Sequence, residues 1–178
     1  MHQEGFSNLA LIVDWSEVSA WAAMVTATGA VIALWLQNRS AGITRSLDVL
    51  LRFDDKFDSE RMKDLRRKAA QGFIEGKFVD EAYYVMDFFE ECGLLLRKGA
   101  IHEEILFESF FHSPLAYWFT AKKYVMEMRK ENKELYDNFE YLVKRLLGYA
   151  RKKRGESTPE METEGYWKGF ISRETQAN

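Results

Sequence analysis

Hydrophobic and polar positions follow two different rules along this chain. From Val18 to Leu36 no residue is charged over 19 positions, and the polar ones, Ser19, Thr26 and Thr28, are small. At a rise of 1.5 Å per residue, a helix of this length reaches about 30 Å, the thickness of a bilayer's hydrocarbon core. The small hydroxyls can bond to carbonyls of their own helix, so they cost little in lipid. A helix in a soluble core keeps one polar stripe, and this segment is apolar or small all round, which predicts a transmembrane helix. Beyond Leu36 the rule changes. Ile43, Leu47, Leu50 and Leu51 recur at helical spacing with polar residues between them.

The flanks of the span give it anchors and a direction. Trp15 and Trp21 lie near one end and Trp35 near the other. Amphipathic indoles favour the headgroup level. No Lys or Arg precedes the span, whereas Arg39, Arg45 and Arg52 follow it. The positive-inside rule then puts a short N-terminus outside and the remainder in the cytoplasm, with the span in the inner membrane. The acidic residues before it, Glu4, Asp14 and Glu17, do not form the basic start of a cleaved signal peptide. Small residues stand four apart at Ala23 and Ala27 and again at Gly29 and Ala33. Such spacing lets helix backbones approach closely in lipid and points to a homo-oligomer.

The remaining pattern predicts a helical bundle. One long helix is expected from about 17 to 54, its second half a stalk leaving the membrane. Asp58 or Ser59 starts the next helix, with Met62, Leu65, Ala69 and Phe73 inward, and Gly72 and Gly76 mark its end. Asp80 is the expected cap of a helix running to about Arg97, dense in apolar residues. Gly99 is the expected helix stop, and a helix restarts with Ile105, Leu106, Phe110 and Phe111. Ser113 and Pro114 then read as a cap and a first helical residue. The last clear helix carries Leu135, Phe139, Leu142, Val143, Leu146 and Leu147. No strand pattern competes. The expected architecture is therefore all-α, with residues 1–16 outside, 17–54 as span and stalk, 55–154 as cytoplasmic bundle and 155–178 as a flexible tail.

Composition narrows the functional classes. Hydrophobic residues make up 47% and aromatic residues 15% of the chain, enough for a packed core. Net charge is −3, which argues against a whole-surface nucleic-acid binder. The single cysteine, Cys92, excludes an intrachain disulfide and a cysteine-cluster metal site, and it suits a reducing compartment. No glycine-rich phosphate loop and no Gly-x-Ser-x-Gly elbow is present. No cofactor is implied. The basic runs at 66–68 and 151–154 read as solvated helix faces or as contacts with anionic lipid. The aromatic island at 165–170 reads either as a segment docking on its own domain or as a partner-binding tip, with residues 166–170 as the contact.

One motif raises a catalytic alternative. Arg97 and His102 stand with four residues between them, the spacing of one class of helical, metal-independent ribonucleases. There Arg would stabilise a phosphate and His would exchange protons near neutrality. Local signals favour a structural reading instead. Arg97 sits where a helix end favours cations, Gly99 stops the helix, and Glu103 and Glu104 suit a new helix start. His102, Glu103 and Glu104 lack a second histidine one turn on, so no metal site is expected.

The order of these features resembles a prokaryotic family with a domain of unknown function. Its members join one N-terminal membrane span to a cytoplasmic helical domain. The resembling residues are 87–110 (DFFEECGLLLRKGAIHEEILFESF), Tyr117 and Trp118, Arg129, and 136–142 (YDNFEYL). The resemblance implies a structural turn at 99–103 and brings no enzymatic activity. Size, topology and the small-residue span are also similar to membrane accessory proteins of RNA-targeting CRISPR loci. That looser similarity implies an oligomeric pore acting in antiphage defence, and it carries no residues over.

Overall fold

The computed structural model describes residues 30–31, 33–34, 37, 44, 46–155 and 159–176. The chain divides into two compact units, Met1–Ala41 and Gly42–Asn178. In the first, Ala30, Val31, Ala33, Leu34 and Gln37 are helical and exposed. Trp15, Trp21, Ala23, Ala27, Gly29, Trp35 and Arg39 lie outside the described residues, as does most of the span expected at 18–36. Among the described residues, no helix is long and apolar enough to cross a membrane.

The second unit is an all-helical bundle. Its helices are α1 (46–57), α2 (Glu60–Ile74), α3 (Asp80–Arg97), α4 (Glu103–Phe110), α5 (His112–Met128), α6 (Asp137–Arg154) and α7 (Glu164–Glu174), with a 3₁₀ turn at Pro159–Glu162. No strand occurs among the described residues. The most extensive helix pair is α3 against α6, followed by α2 against α3.

Most boundaries have a local chemical cause. Ser59 Oγ accepts the Met62 amide at 3.3 Å and starts α2. Two helices end in the same glycine motif. Gly76 and Gly99 adopt φ of +74° and +71°, where a β-carbon would be strained. After α3, the Gly99 amide donates to Leu96 and the Ala100 amide to Leu95, a Schellman pair that satisfies carbonyls left open at the helix end. Asp80 is the first residue of α3 rather than its cap; Val79 holds the cap position without a side-chain bond.

Three expectations are corrected. Ser113 and Pro114 do not restart the chain. Phe111 keeps right-handed helical backbone, α5 begins at His112, and Pro114 is its third residue. An amide there has no partner within the helix, so proline is tolerated. The stalk expected up to residue 54 is instead part of the bundle from about residue 46. Leu50, Phe53 and Phe57 are buried, and Phe57 packs on Phe88, Phe89 and Phe110 at 5.3–5.8 Å between ring centroids. Their spacing of three and four places them on one face, and Leu47 and Leu51, to the side of it, are exposed.

The third correction concerns the tail expected to be flexible at 155–178. Thr163 Oγ1 caps α7 by accepting the Tyr166 amide, and Trp167 and Ile171 are each 2% exposed. Helix α7 packs on α5 and α2. Trp167 Nε1 donates to the Met161 carbonyl at 2.6 Å, so its polar atom is satisfied inside the core. Complete burial of one such side chain contributes about 1.5–3 kcal/mol, enough to hold a short helix that would be marginal alone.

Candidate functional site

The segment from Arg97 to His102 is built as a turn. Arg97 is the last residue of α3 and is exposed; its guanidinium lies 4.8 Å from the Tyr141 ring centroid and Nη2 donates to the Asp137 carbonyl at 3.4 Å. His102 occupies the N-cap position of α4, and its imidazole makes no capping bond. Its backbone amide donates to Ser46 Oγ at 3.1 Å, and that hydroxyl donates to the Ala100 carbonyl at 3.3 Å. Ser46 is 1% exposed, so α1 pins the 100–102 turn from inside. The contacts of Arg97 run to α6, and those of His102 run through its backbone to α1. Glu103, the next residue, pairs with Arg145 of α6.

Several of the residues carrying the family resemblance meet at one seam between α3, α5 and α6. Glu90 reaches across from α3 to the start of α6. Its Oε2 accepts the Phe139 amide at 2.7 Å, and its Oε1 accepts from the Asn138 side chain at 2.7 Å and the Asn138 amide at 3.3 Å. A carboxylate at a helix N-terminus meets both unsatisfied amides and the positive end of the dipole. One turn along α3, Gly93 lets the backbones touch; a β-carbon there would lie 2.0 Å from the Asn138 carbonyl oxygen. Phe89 stacks on Phe139 at 5.0 Å, and Trp118 meets Phe139 edge-on at 5.2 Å.

Arg129 closes the loop that feeds α6. Its Nε donates to the Leu135 carbonyl at 2.8 Å, Nη1 to Glu140 at 2.5 Å and Nη2 to Asp137 at 3.1 Å, and the guanidinium lies over the Trp118 ring. Burial works against ionisation of Glu140, yet Lys144 and Arg129 together hold its pKa below the usual value. Tyr136 enters α6 in left-handed backbone, φ +60°, an uncommon conformation for a bulky residue. Its hydroxyl is pushed up in pKa by burial and by Asp87, while burial in turn raises Asp87 despite the bond from Tyr136. Glu90, Gly93 and Tyr136 carry no one-dimensional signal of these roles, because each acts on a residue more than 40 positions away or through backbone conformation.

A second buried polar cluster locks α7. Arg66 is 7% exposed, with its Nε 3.1 Å from Glu174 Oε2 and its guanidinium 3.9 Å from the centre of the Phe57 ring. The Nε–H is not aimed at the carboxylate, so this contact is an ion pair without a directed hydrogen bond. The Tyr117 hydroxyl donates to Glu174 at 3.2 Å, and burial raises its pKa well above the ordinary tyrosine value. The sequence reading placed Arg66 in a basic run; the structure places it inside.

Two of the grooves on the surface of the described residues have walls of distinct chemistry. One, of about 320 Å³, lies between the start of α2 and α3, with Met62, Leu65, Tyr84 and Phe88 in its wall and the Lys56–Glu91 ion pair, 2.7 Å, at its edge. The other, of about 340 Å³, runs along α6 beside Glu103. No group of three or more potential ligands arranged for a metal occurs among the described residues. In the aromatic island, Trp167 faces its own core, whereas Tyr166 remains half exposed. This is the self-docking alternative read from the sequence.

No curated protein and no solved structure matches the chain. A family model described as a domain of unknown function, DUF4760, matches residues 20–146. It therefore takes in α3 and the first part of α6, including Asn138 and Phe139, and leaves α7 outside. The chain belongs to the DUF4760 family.

Proposed function

We propose that this protein is a membrane-anchored, self-associating helical protein that acts on the bilayer without catalysis, perturbing or permeating it, in prokaryotic antiphage defence. One observation carries the reading: a 19-residue stretch without charge, Val18 to Leu36, with tryptophans at both ends and basic residues only after it. Ala33 and the flanking Val31 and Leu34, which are helical and exposed, fit a surface meant for lipid or for another copy. Small residues at Ala23, Ala27, Gly29 and Ala33 favour the copy.

A ribonuclease using Arg97 and His102 has less support. The Arg97 guanidinium is already engaged by Tyr141 and the Asp137 carbonyl. The test is the mass of the full chain in detergent, by light scattering, together with membrane potential during overexpression. The proposal expects an oligomer and depolarisation, both retained in His102→Ala. A strict monomer that leaves the potential unchanged contradicts it, and loss of the phenotype in His102→Ala with intact assembly favours catalysis.

A further inference from the structure

The groove along α6 has chemistry that the fold does not require. Lys144, Gly148 and Lys152 stand four apart, in one row on the helix surface, and Arg145, Tyr149 and Lys153 form the neighbouring row. Glu103 of α4 closes one side. The charges do not balance. Arg145 is neutralised by Glu103. Lys144 lies 2.6 Å from Glu140, but that carboxylate also serves Arg129 at 2.5 Å. Lys152 and Lys153 have no carboxylate partner among the described residues; Lys153 lies 6.0 Å from the centre of the Tyr149 ring.

Gly148 is the second observation. Glycine inside a helix costs about 1 kcal/mol relative to alanine. At Gly93 a close backbone approach demands it, but a β-carbon at Gly148 would meet nothing within 4 Å. Packing gives no reason for glycine there. Its effect is to leave open floor between two lysines one turn away on either side. The helix dipole accounts for cations in the last turn, as at Lys152 and Lys153. It does not account for the open floor, and Lys144, more than two turns from the end, shares its only carboxylate partner among the described residues with Arg129.

We propose that this groove binds a phosphate-bearing anion, with the phosphate over Gly148 between Lys144 and Lys152. Ammonium groups act as point-charge donors to phosphate. Two sources offer that chemistry, the headgroup of an anionic lipid and a free phosphate. The lipid source rests on the membrane-anchored reading above; the groove itself does not.

The experiment uses the full chain mixed with phosphatidylcholine vesicles, with or without phosphatidylglycerol, and a third sample in phosphatidylcholine with added pyrophosphate. Acylation of each lysine by an amine-reactive reagent is read by mass spectrometry, with Lys168 as the exposed reference, and flotation of the protein is measured on the same samples. Protection of Lys144 and Lys152, relative to Lys168, is expected with phosphatidylglycerol or with pyrophosphate, and the arm that protects names the source. Replacing Lys152 by Gln weakens protection of Lys144 about fivefold, the scale of one basic residue near an anionic surface. Gly148→Leu abolishes protection by filling the floor, with circular dichroism and flotation unchanged. Protection in neither arm overturns the groove proposal even when the protein floats. A protein that does not float but is protected by pyrophosphate keeps the groove and removes the membrane reading.

Discussion

The Glu90 carboxylate on α3 accepts the Phe139 amide at 2.7 Å, so α6 is capped by a side chain 49 positions earlier in the chain. Its other oxygen takes the Asn138 side chain and amide. A charged acceptor satisfying helix-end amides contributes about 1.5–3 kcal/mol. Glu90→Ala should lower unfolding free energy by about that amount in urea titrations, and Glu90→Gln by less because one carbonyl acceptor remains. Equal stability of Glu90→Ala and wild type would show that α6 is capped some other way.

Two glycines should respond in opposite directions. Gly93→Ala puts a β-carbon 2.0 Å from the Asn138 carbonyl oxygen, a backbone atom that cannot move aside alone. Separating α3 from α6 should cost about 3 kcal/mol or more. Gly148→Ala meets open space and should raise stability by about 0.5–1 kcal/mol, seen as a higher melting temperature.

Helix α7 should behave as part of the core. Trp167→Ala removes a side chain that is 2% exposed and should cost about 3–5 kcal/mol. Glu174→Gln leaves the Arg66 charge without its carboxylate and should cost about 3–5 kcal/mol, the range for breaking a buried pair. Both effects are measured by chemical denaturation. A chain truncated after residue 158 that unfolds at the wild-type denaturant midpoint would mean that α7 contributes nothing.

Cys92 provides a pH signature. It is 2% exposed, and burial pushes its thiol from the ordinary value of 9.0 up to about 12. The folded chain therefore holds a proton that the unfolded chain releases. The contribution is fully present below pH 9 and is lost as pH rises towards 12, at up to about 1.4 kcal/mol per unit. Alkylation by iodoacetamide at pH 8 should follow global unfolding, with no labelling of the native protein on the same timescale. Rapid labelling of native protein would contradict this burial.

The helical class and most helix ends were legible because they have local causes. Ser59 and Gly99 act within four residues of themselves, and a one-dimensional reading finds such signals. Three features had no such cause. Phe53 and Phe57 share a face with Leu50, but a stalk and a packed helix show the same stripe, and only the position of α3 distinguishes them. Ser113 and Pro114 imitate a helix start, yet proline is also accepted at the third helical residue. Trp167 and Ile171 stand in a short polar segment, where two buried anchors do not make a periodic pattern. At the candidate site, the turn around Arg97 and His102 was readable from Gly99. The contacts of Glu90, Arg66 and Ser46 were not, because their partners lie roughly fifty or more positions away, and in the case of Arg66 over a hundred.

The central claim, that residues 18–36 hold the chain in a bilayer, has one direct test. Bacterial membranes carrying the full chain are washed in alkaline carbonate and sedimented, and the pellet is blotted. The account predicts that the protein stays with the membranes after the wash, while a chain with Ala27→Arg and Ala30→Arg inside the span is released, because two central arginines cost about 5–7 kcal/mol on the insertion scale. Release of the wild-type chain into the supernatant would contradict it.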